Sequence, residues 1–393
     1  MKFDTISISK KLLIVAEFDS LNGGEQSMLA VLPLLIDSGW RIKIAFPNLP
    51  RGNDHKSLAD RISGLDVRPI LLTTHHANGT RKSQSEYRAD FAEILRGHQP
   101  DLVWCNSLST SRLCGPVTRE LGVGAVGYLR DIIKLSKTAT QDVNQLDRIV
   151  AVSRATKDHH VSQGMTESKI GVIHNGVDLE LFRPKKESAA GSPSIKSELG
   201  IPSSSPALLF VGQIGMRKGV DVLFDVFEKV IDQIPNCHLL IVGQRHSGKQ
   251  EAVQYEADLI QRSQSDPLSG NVHWLGRRDD MPEIYAGADL LLHPARQEPL
   301  GRVILEAVSS GLPVLTTSVG GSPEILGAQQ SFDLLCPVDD AQVMASRAVT
   351  ILRDDALRRA IAEELREMAV RRFDRQRCHA ELEVMLESML AKV

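Results

Sequence analysis

The sequence predicts two Rossmann-like α/β domains facing each other across a cleft. Three observations carry this. Short apolar runs recur along the chain, and most are continuous rather than alternating, as strands buried on both faces of a parallel sheet are. Helical patterns fall between them, and strand–helix–strand alternation builds a parallel sheet. The alternation is interrupted once, at residues 185–206, KKESAAGSPSIKSELGIPSSSP, where Ser, Pro, Gly and Lys dominate. That composition suits a solvated connection.

Each element has its own stretch. KLLIVAEF opens the first βαβ unit, with GEQSMLAVLPLLIDSG as its helix and RIKIAFP as its second strand. DLVWCN, GAVGYL, RIVAVS and KIGVIHNG follow as strands. In the second half, ALLFVG leads into the helix GVDVLFDVFEKVIDQI, then come CHLLIVG, NVHWLG and ADLLLHPA. The helix GRVILEAVSSG separates these from LPVLTTS and FDLLCP. From Ala341 onward the pattern is helical and charge-laced. Residues 353–377 carry eight Arg against six acids, a solvated helical face with i,i+4 pairs rather than a nucleic-acid patch. These readings place an N-terminal domain at 1–185, a linker at 186–206 and a C-terminal domain at 207–375. The last helix, 376–393, is a candidate for packing back onto the first domain. Parallel sheets bind ligands beyond the carboxyl ends of their strands, so the site is expected between the domains.

Composition narrows the function. Hydrophobic residues are 42% and charged residues 24% of the 393, enough apolar side chain to exclude disorder as the main theme. The net charge is −3, from 46 basic and 49 acidic residues, which gives no reason to expect nucleic acid. An aromatic content of 4% argues against base-stacking platforms. The five cysteines, 105, 114, 237, 336 and 378, are odd in number and never spaced C-x-x-C. They read as reduced, buried thiols, not a disulfide framework or a zinc cluster. The apolar run Leu12–Ala16 is too short for a signal-peptide core or a membrane span, so the protein is expected to be soluble and cytoplasmic, at most peripheral to a membrane.

The strongest chemical constellation is ADLLLHPARQEPLGRVILEAVSSGLPVLTTSVGGSPEIL, residues 288–326. A strand ends near His293, a loop carries Glu298 to Gly301, and a helix starts near Arg302 and contains Glu306. First-turn amides around Leu300, Gly301, Arg302 and Val303 lack intrahelical partners and point along the positive end of the helix dipole, which makes an anion site. Gly301 lets a ligand approach the backbone. Glu298 can accept from sugar hydroxyls and Glu306 from a ribose diol; a plain βα turn with two surface acids fits the spacing equally well.

This stretch resembles the E-x7-E region of retaining glycosyltransferases of the GT-B fold, family 4. Glu298 and Glu306 enclose seven residues, and GLPVLTTSVGGSPEIL resembles the family's following G-x-P-V segment, with Gly320, Gly321 and Glu324 in place. The resemblance extends through VHWLGRRDDMPEIYAGADLLLHP, FVGQIGMRKGVDVLF, VIHNGVDLELFRP and NGGEQSMLAVLPLLIDSGW, nearly the whole chain. It implies that Gly23 and Gly24 form a turn facing the donor phosphates and acceptor. It implies that Lys218, with Arg217 as helper, neutralises the diphosphate leaving group. Glu298 would hold the donor sugar, Glu306 the ribose, and Arg277 would lie near the nucleobase. The implied activity is retaining, metal-independent transfer of a sugar from a nucleotide sugar to a saccharide or lipid-linked saccharide. UDP-glucose is the default donor, no separate cofactor is needed, and peripheral membrane contact is allowed.

Two positions depart from the family. Gln213 stands where a basic residue is usual, and the loop Tyr128-Leu129-Arg130-Asp131 lacks the usual His. Arg217 or Arg302 would replace the first, and Arg130 or Asp131 the second; Asp131 serves equally as a helix N-cap. Two other readings compete. One is a glycosyltransferase-like binding subunit without catalysis. The other is a P-loop NTPase, because Gly243 to Lys249 reads G-x4-G-K, but Gln250 replaces the hydroxyl that would bind Mg²⁺. His75-His76 and His159-His160 lack metal-ligand spacing, and His293 reads as a core histidine.

Overall fold

A computed structural model describes residues 10–47, 57–184, 194–327 and 331–391. Contacts divide the chain into two units, one running to Gly176 and resuming at Arg375, the other spanning Val177–Asp374. Each is a wholly parallel sheet wrapped by helices.

In the first unit the order is β1 Lys10–Val15, α1 Gly23–Asp37, β2 Trp40–Pro47, α2 Leu58–Ile62 and β3 Val67–Leu72. α3 Gln84–His98, β4 Leu102–Cys105, α4 Leu108–Leu121 and β5 Gly124–Leu129 come next. α5 Lys137–Val143, β6 Arg148–Ala151, α6 Arg154–Ser162 and β7 Ile170–Val172 complete its first stretch. The second unit holds α7 Ile195–Glu198, β8 Ala207–Val211, α8 Val220–Ile231, β9 His238–Val242, α9 Gln250–Ser263 and β10 Val272–Gly276. It continues with α10 Met281–Gly287, β11 Leu290–His293, α11 Arg302–Ser309, β12 Val314–Thr317, α12 Ser322–Leu326 and β13 Leu335–Cys336. α13 Ala341–Arg353 and α14 Asp355–Arg372 close it, and α15 Arg375–Leu390 returns to the first unit.

The first sheet is ordered β3-β2-β1-β4-β5-β6-β7, the second β10-β9-β8-β11-β12-β13. β1 shows why its run is continuously apolar. Leu12 and Ile14 pack on one face, with Met28 and Leu32 of α1 and with Leu382 and Leu386 of α15. Leu13 and Val15 pack on the other, with Phe91 of α3 and Cys114 of α4. Both faces exclude water, so alternation would serve no purpose.

Three differences from the sequence reading have physical causes. β3 went unread because Pro69 interrupts VRPILL; proline cannot donate to a ladder, and β3 tolerates it as the edge strand, pairing only with β2. The units divide at Gly176, not at 185, because the segment after Gly176 is fastened to the second unit. There the Arg366 guanidinium donates to the Leu179, Phe182 and Ser309 carbonyl oxygens, and the Phe182 ring meets Tyr285 edge-on at 6.0 Å. The expected linker also proves structured from Ser194 on. Ile195 packs on Gly287, and Lys196 Nζ reaches Asp289 at 2.7 Å. Residues 185–193 lie outside the described residues.

α15 begins at Arg375 and contributes Leu382, Leu386 and Met389 to the core around Trp40 and Trp104. Replacing fully buried Leu386 by Ala should therefore cost about 2–5 kcal/mol of stability, the range for emptying such a site. Urea melts followed by tryptophan fluorescence check it; a loss below about 0.5 kcal/mol, ordinary for a surface position, would place α15 outside the core.

Candidate active site

The second sheet reverses its strand order between β8 and β11. At such a switch point the segments after two adjacent strands leave in opposite directions and open a crevice. The loop after β8 carries the Met216–Lys218 turn and ends at Gly219, the N-cap of α8. The loop after β11 carries Glu298 and ends at Gly301, the N-cap of α11.

Backbone contacts lock these loops together. Gly219 has φ 66°, and a Cβ there would lie 2.0 Å from the Pro294 carbonyl oxygen, so no side chain fits. The Arg296 amide donates to the Arg217 carbonyl oxygen at 2.9 Å. The Gly321 amide donates to the Glu298 carbonyl oxygen at 2.9 Å, which ties Glu298 to the paired glycines after β12. Gly301 has φ 109°, and a Cβ would lie 2.8 Å from Ile304 Cδ1. The left-handed backbone and the nearby Ile304 side chain both require glycine there.

The side chains then converge. Lys218 Nζ donates to Glu298 Oε2 at 2.5 Å, and His293 Nε2 lies 2.7 Å from the same oxygen. Exposure is 13% for the Lys218 side chain, 8% for Glu298 and 0% for His293. Burial pushes the Glu298 carboxyl up, but the Lys218 charge and the His293 hydrogen bond outweigh it and hold it well below the usual carboxylate range. Burial pushes the His293 imidazole down by more than Glu298 raises it. His293 is therefore neutral and donates through Nε2–H. Eight residues on, Glu306 Oε2 accepts from the Tyr285 hydroxyl at 2.9 Å and Oε1 from Arg302 Nε at 2.7 Å. Burial, and after it the Glu306 carboxylate, push the Tyr285 phenol well up, so it stays a donor. Arg302 Nη1 is buried with no hydrogen-bond partner among the described residues.

The structure thus gathers Lys218, Glu298, the junction Leu300, Gly301, Arg302 and Val303, and Glu306 at one end of one sheet. Arg217 is exposed, and half-buried Arg277 follows β10, two strands from β8. Its neighbour Arg278 is committed to Asp280 and Glu198. Gly23, Gly24 and Asp131 lie in the first unit. A Cβ on Gly24 would meet Arg130 Cδ at 3.2 Å, whereas Gly23 borders open space. Arg130 is held inward by the Asn106 carbonyl oxygen at 2.9 Å, Asn106 Oδ1 at 3.0 Å and Asn175 Oδ1 at 3.1 Å. Asp131 is exposed, and its carbonyl oxygen accepts from His160 Nε2 at 2.8 Å. Ser136, not Asp131, caps α5.

Three residues at this site escaped the sequence reading. His293 read as core because nothing pairs it with an acid five residues on. Tyr285 stands 21 residues before Glu306, outside any local spacing. Arg296 hydrogen-bonds the Lys218 turn across a separation of 80 residues. The G-x4-G-K stretch, in turn, puts Lys249 outside α9 as its N-cap and pairs Arg245 with Glu256. Among the described residues, no cluster of three His, Cys, Asp or Glu side chains is placed to hold a metal ion, and no helix is long and apolar enough to cross a membrane.

Comparison with known proteins bears on the family and the fold. The sequence profile "Glycosyltransferase Family 4" matches residues 21–181, and "Glycosyl transferases group 1" matches residues 192–368. N-acetyl-alpha-D-glucosaminyl L-malate synthase of Bacillus anthracis is 25% identical over 248 residues, 63% of this chain and 61% of that one. The chain therefore spans less than two thirds of that relative's length. Phosphatidyl-myo-inositol mannosyltransferase of Mycolicibacterium smegmatis is 26% identical over 369 residues, 91% of this chain and 88% of that one. Anabaena Alr3699/HepE, solved in complex with UDP and glucose, shares the fold with a TM-score of 0.82 at 21% identity, over 96% of this chain and 100% of that one.

The ion pair has a signature in acid. The folded Glu298 carboxyl lies below its unfolded value. Its stabilisation is therefore complete above about pH 4.3 and is lost as pH falls from there toward the depressed folded value. Neutral His293 acts in a higher window, losing stability as pH falls below about 6.5. Glu298→Gln should flatten stability against pH below about pH 4.3, as urea melts across that range would show. An unchanged acid limb would mean that the pair does not form in solution.

Proposed function

The chain belongs to the family 4 glycosyltransferases of the GT-B fold, and from that premise we propose that it is a retaining sugar transferase. It moves a sugar from a nucleotide sugar to a hydroxyl of a saccharide or lipid-linked saccharide. A UDP-sugar is the preferred donor, with UDP-glucose the default; the UDP and glucose bound by the Anabaena relative support that choice. The observation that carries the reading is the buried Lys218–Glu298–His293 cluster at the switch point, next to the first turn of α11.

In this mechanism the bond between the anomeric carbon and the diphosphate oxygen breaks while the acceptor oxygen bonds to the anomeric carbon from the same face, and the acceptor hydroxyl's proton passes to the leaving diphosphate oxygen. Negative charge builds on the leaving diphosphate. Lys218 and the amides of Leu300 to Val303 meet that charge, and Arg217 assists from the same turn. Preorganised donors of this kind are typically worth about 10²–10³ in kcat each. The cation that Gln213 fails to supply comes from Arg302, whose Nη1 is a buried donor with no partner among the described residues. No resident metal is assigned to the diphosphate. Glu298, kept ionised, accepts from hydroxyls of the transferring sugar, Glu306 accepts from the ribose, and Arg277 lies toward the nucleobase. On the same reading Gly23 and Gly24 of the first unit take part in substrate binding, and Asp131 assists the acceptor. Calorimetric titration of the purified protein with UDP, GDP and their sugar conjugates tests the reading. Binding of none of them at millimolar concentration would defeat it.

The two acids should fail differently. Glu306 meets a part of the donor that does not change during reaction, so Glu306→Ala should raise KM for the donor with kcat less affected. Glu298 meets the sugar whose charge changes most, so Glu298→Ala should lower kcat as well. A hydrogen bond to a charged group is worth about 1.5–3 kcal/mol, so each change should cost roughly tenfold or more in kcat/KM. Steady-state kinetics on both variants decide it; small and equal effects would remove the pair from the site.

A further inference from the structure

The Met216–Lys218 turn is a short stretch of 3₁₀ helix between two glycines, which by itself would hold a long, flexible lysine loosely. One side chain from the neighbouring loop takes up this task. Arg296 stands two residues before Glu298. Its Nη1 donates to the Met216 carbonyl oxygen at 2.8 Å and to Asp221 Oδ1 at 2.9 Å; Nη2 donates to Asp221 Oδ2 at 2.7 Å; and Nε donates to Asp339 Oδ1 at 2.7 Å. A guanidinium has five N–H donors, and four are committed here, so Arg296 is occupied by protein rather than offered to a ligand. The carboxylates are themselves fixed. Asp221, in the first turn of α8, accepts from the Tyr255 hydroxyl at 2.8 Å, and its own amide donates back to that oxygen at 3.0 Å. Asp339 sits at φ 58°, a left-handed conformation that aspartate tolerates.

We infer that Arg296 is a positioning residue: it braces the loop carrying Glu298 against the turn carrying Lys218, so that the ammonium is already placed for a diphosphate. The fork fits this use, since it spans a peptide oxygen and both oxygens of one carboxylate in a plane, which a lysine cannot do. The brace leaves the ligand contacts to Lys218 and acts only through it. The inference rests on the proposed role of Lys218.

A double-mutant cycle on the full chain, with UDP as the probe in calorimetry, tests it. Lys218→Met should weaken UDP binding. Arg296→Met should weaken it about tenfold when Lys218 is present, since misplacement of a binding group by about 1 Å is costly. In the Lys218→Met background the same change should cost less than about twofold, because there is no ammonium left to place. Arg296→Lys should restore only part of the loss. An Arg296→Met loss that is equal in both backgrounds marks a merely structural residue and overturns the inference, as does no loss at all. Lys218→Met with wild-type affinity overturns the assignment of Lys218 itself, a separate failure. If Arg296→Met does not fold, Asp221→Asn takes its place in the cycle, since it removes one oxygen from the fork while keeping the arginine. A loss confined to the background that retains Lys218 then supports the brace, and an equal loss in both backgrounds, or none, overturns it.

Discussion

The site depends on a partly buried ion pair between residues 80 positions apart in sequence, Lys218 and Glu298. A carboxylate taken out of water is costly unless a cation and further hydrogen bonds replace its hydration. The fold supplies the replacement through topology. Because β8 pairs in parallel with β11, at Leu208↔Leu290 and Leu209↔Leu291, both strands end side by side and release their loops at the same edge. Gly219 can then press against the Pro294 carbonyl, and the two loops become one surface. The glycine, the lysine and the acid are one solution to one packing problem.

The second acid of the pair is handled by the same logic with different residues. Glu298 has one cation, Lys218, and one neutral donor, His293; Glu306 has one cation, Arg302, and one neutral donor, Tyr285. The neutral donors stay neutral because they are buried, His293 held down and Tyr285 held up. A carboxylate satisfied this way still has lone pairs free to accept further bonds. That is the state a carboxylate needs if it is to read hydroxyl groups of a sugar.

Much of this was legible in the sequence, and the gaps have a common cause. Twelve of the thirteen described strands announce themselves as apolar runs because parallel strands are buried on both faces. The missing one, β3, carries Pro69 and lies at the edge, where the rule is weakest. The acids Glu298 and Glu306 stand out because a loop and the helix after it fix their spacing locally. Their partners do not. Lys218 and Tyr285 reach them across 80 and 21 residues, Arg296 reaches Asp221 beside the Lys218 turn across 75, and only strand order brings them close. Composition misled at 185–206 for a related reason. A segment rich in Ser, Pro and Lys looks like a connection, yet from Ser194 it is anchored by Ile195 and Lys196, whose partners Gly287 and Asp289 lie far along the chain.

The two units use one topology for different electrostatic ends. In each sheet the order reverses beside the first strand, at β1 and β4 in one and at β8 and β11 in the other. Each reversal also has a buried glutamate beyond it, Glu25 in one unit and Glu298 in the other. Burial drives both carboxyls up. For Glu25 it prevails, and the carboxyl is pushed up to about 7 although backbone amides and the Arg130 charge draw it down. Arg130 has other obligations, to Asn106 and Asn175. For Glu298 the contest reverses, because Lys218 and His293 touch one oxygen directly. Equal burial therefore yields a carboxyl near neutrality in one unit and a fixed anion in the other. The difference lies in whether a cation stands at hydrogen-bonding distance. Among the described residues, only the second unit commits a lysine to the glutamate at its switch point.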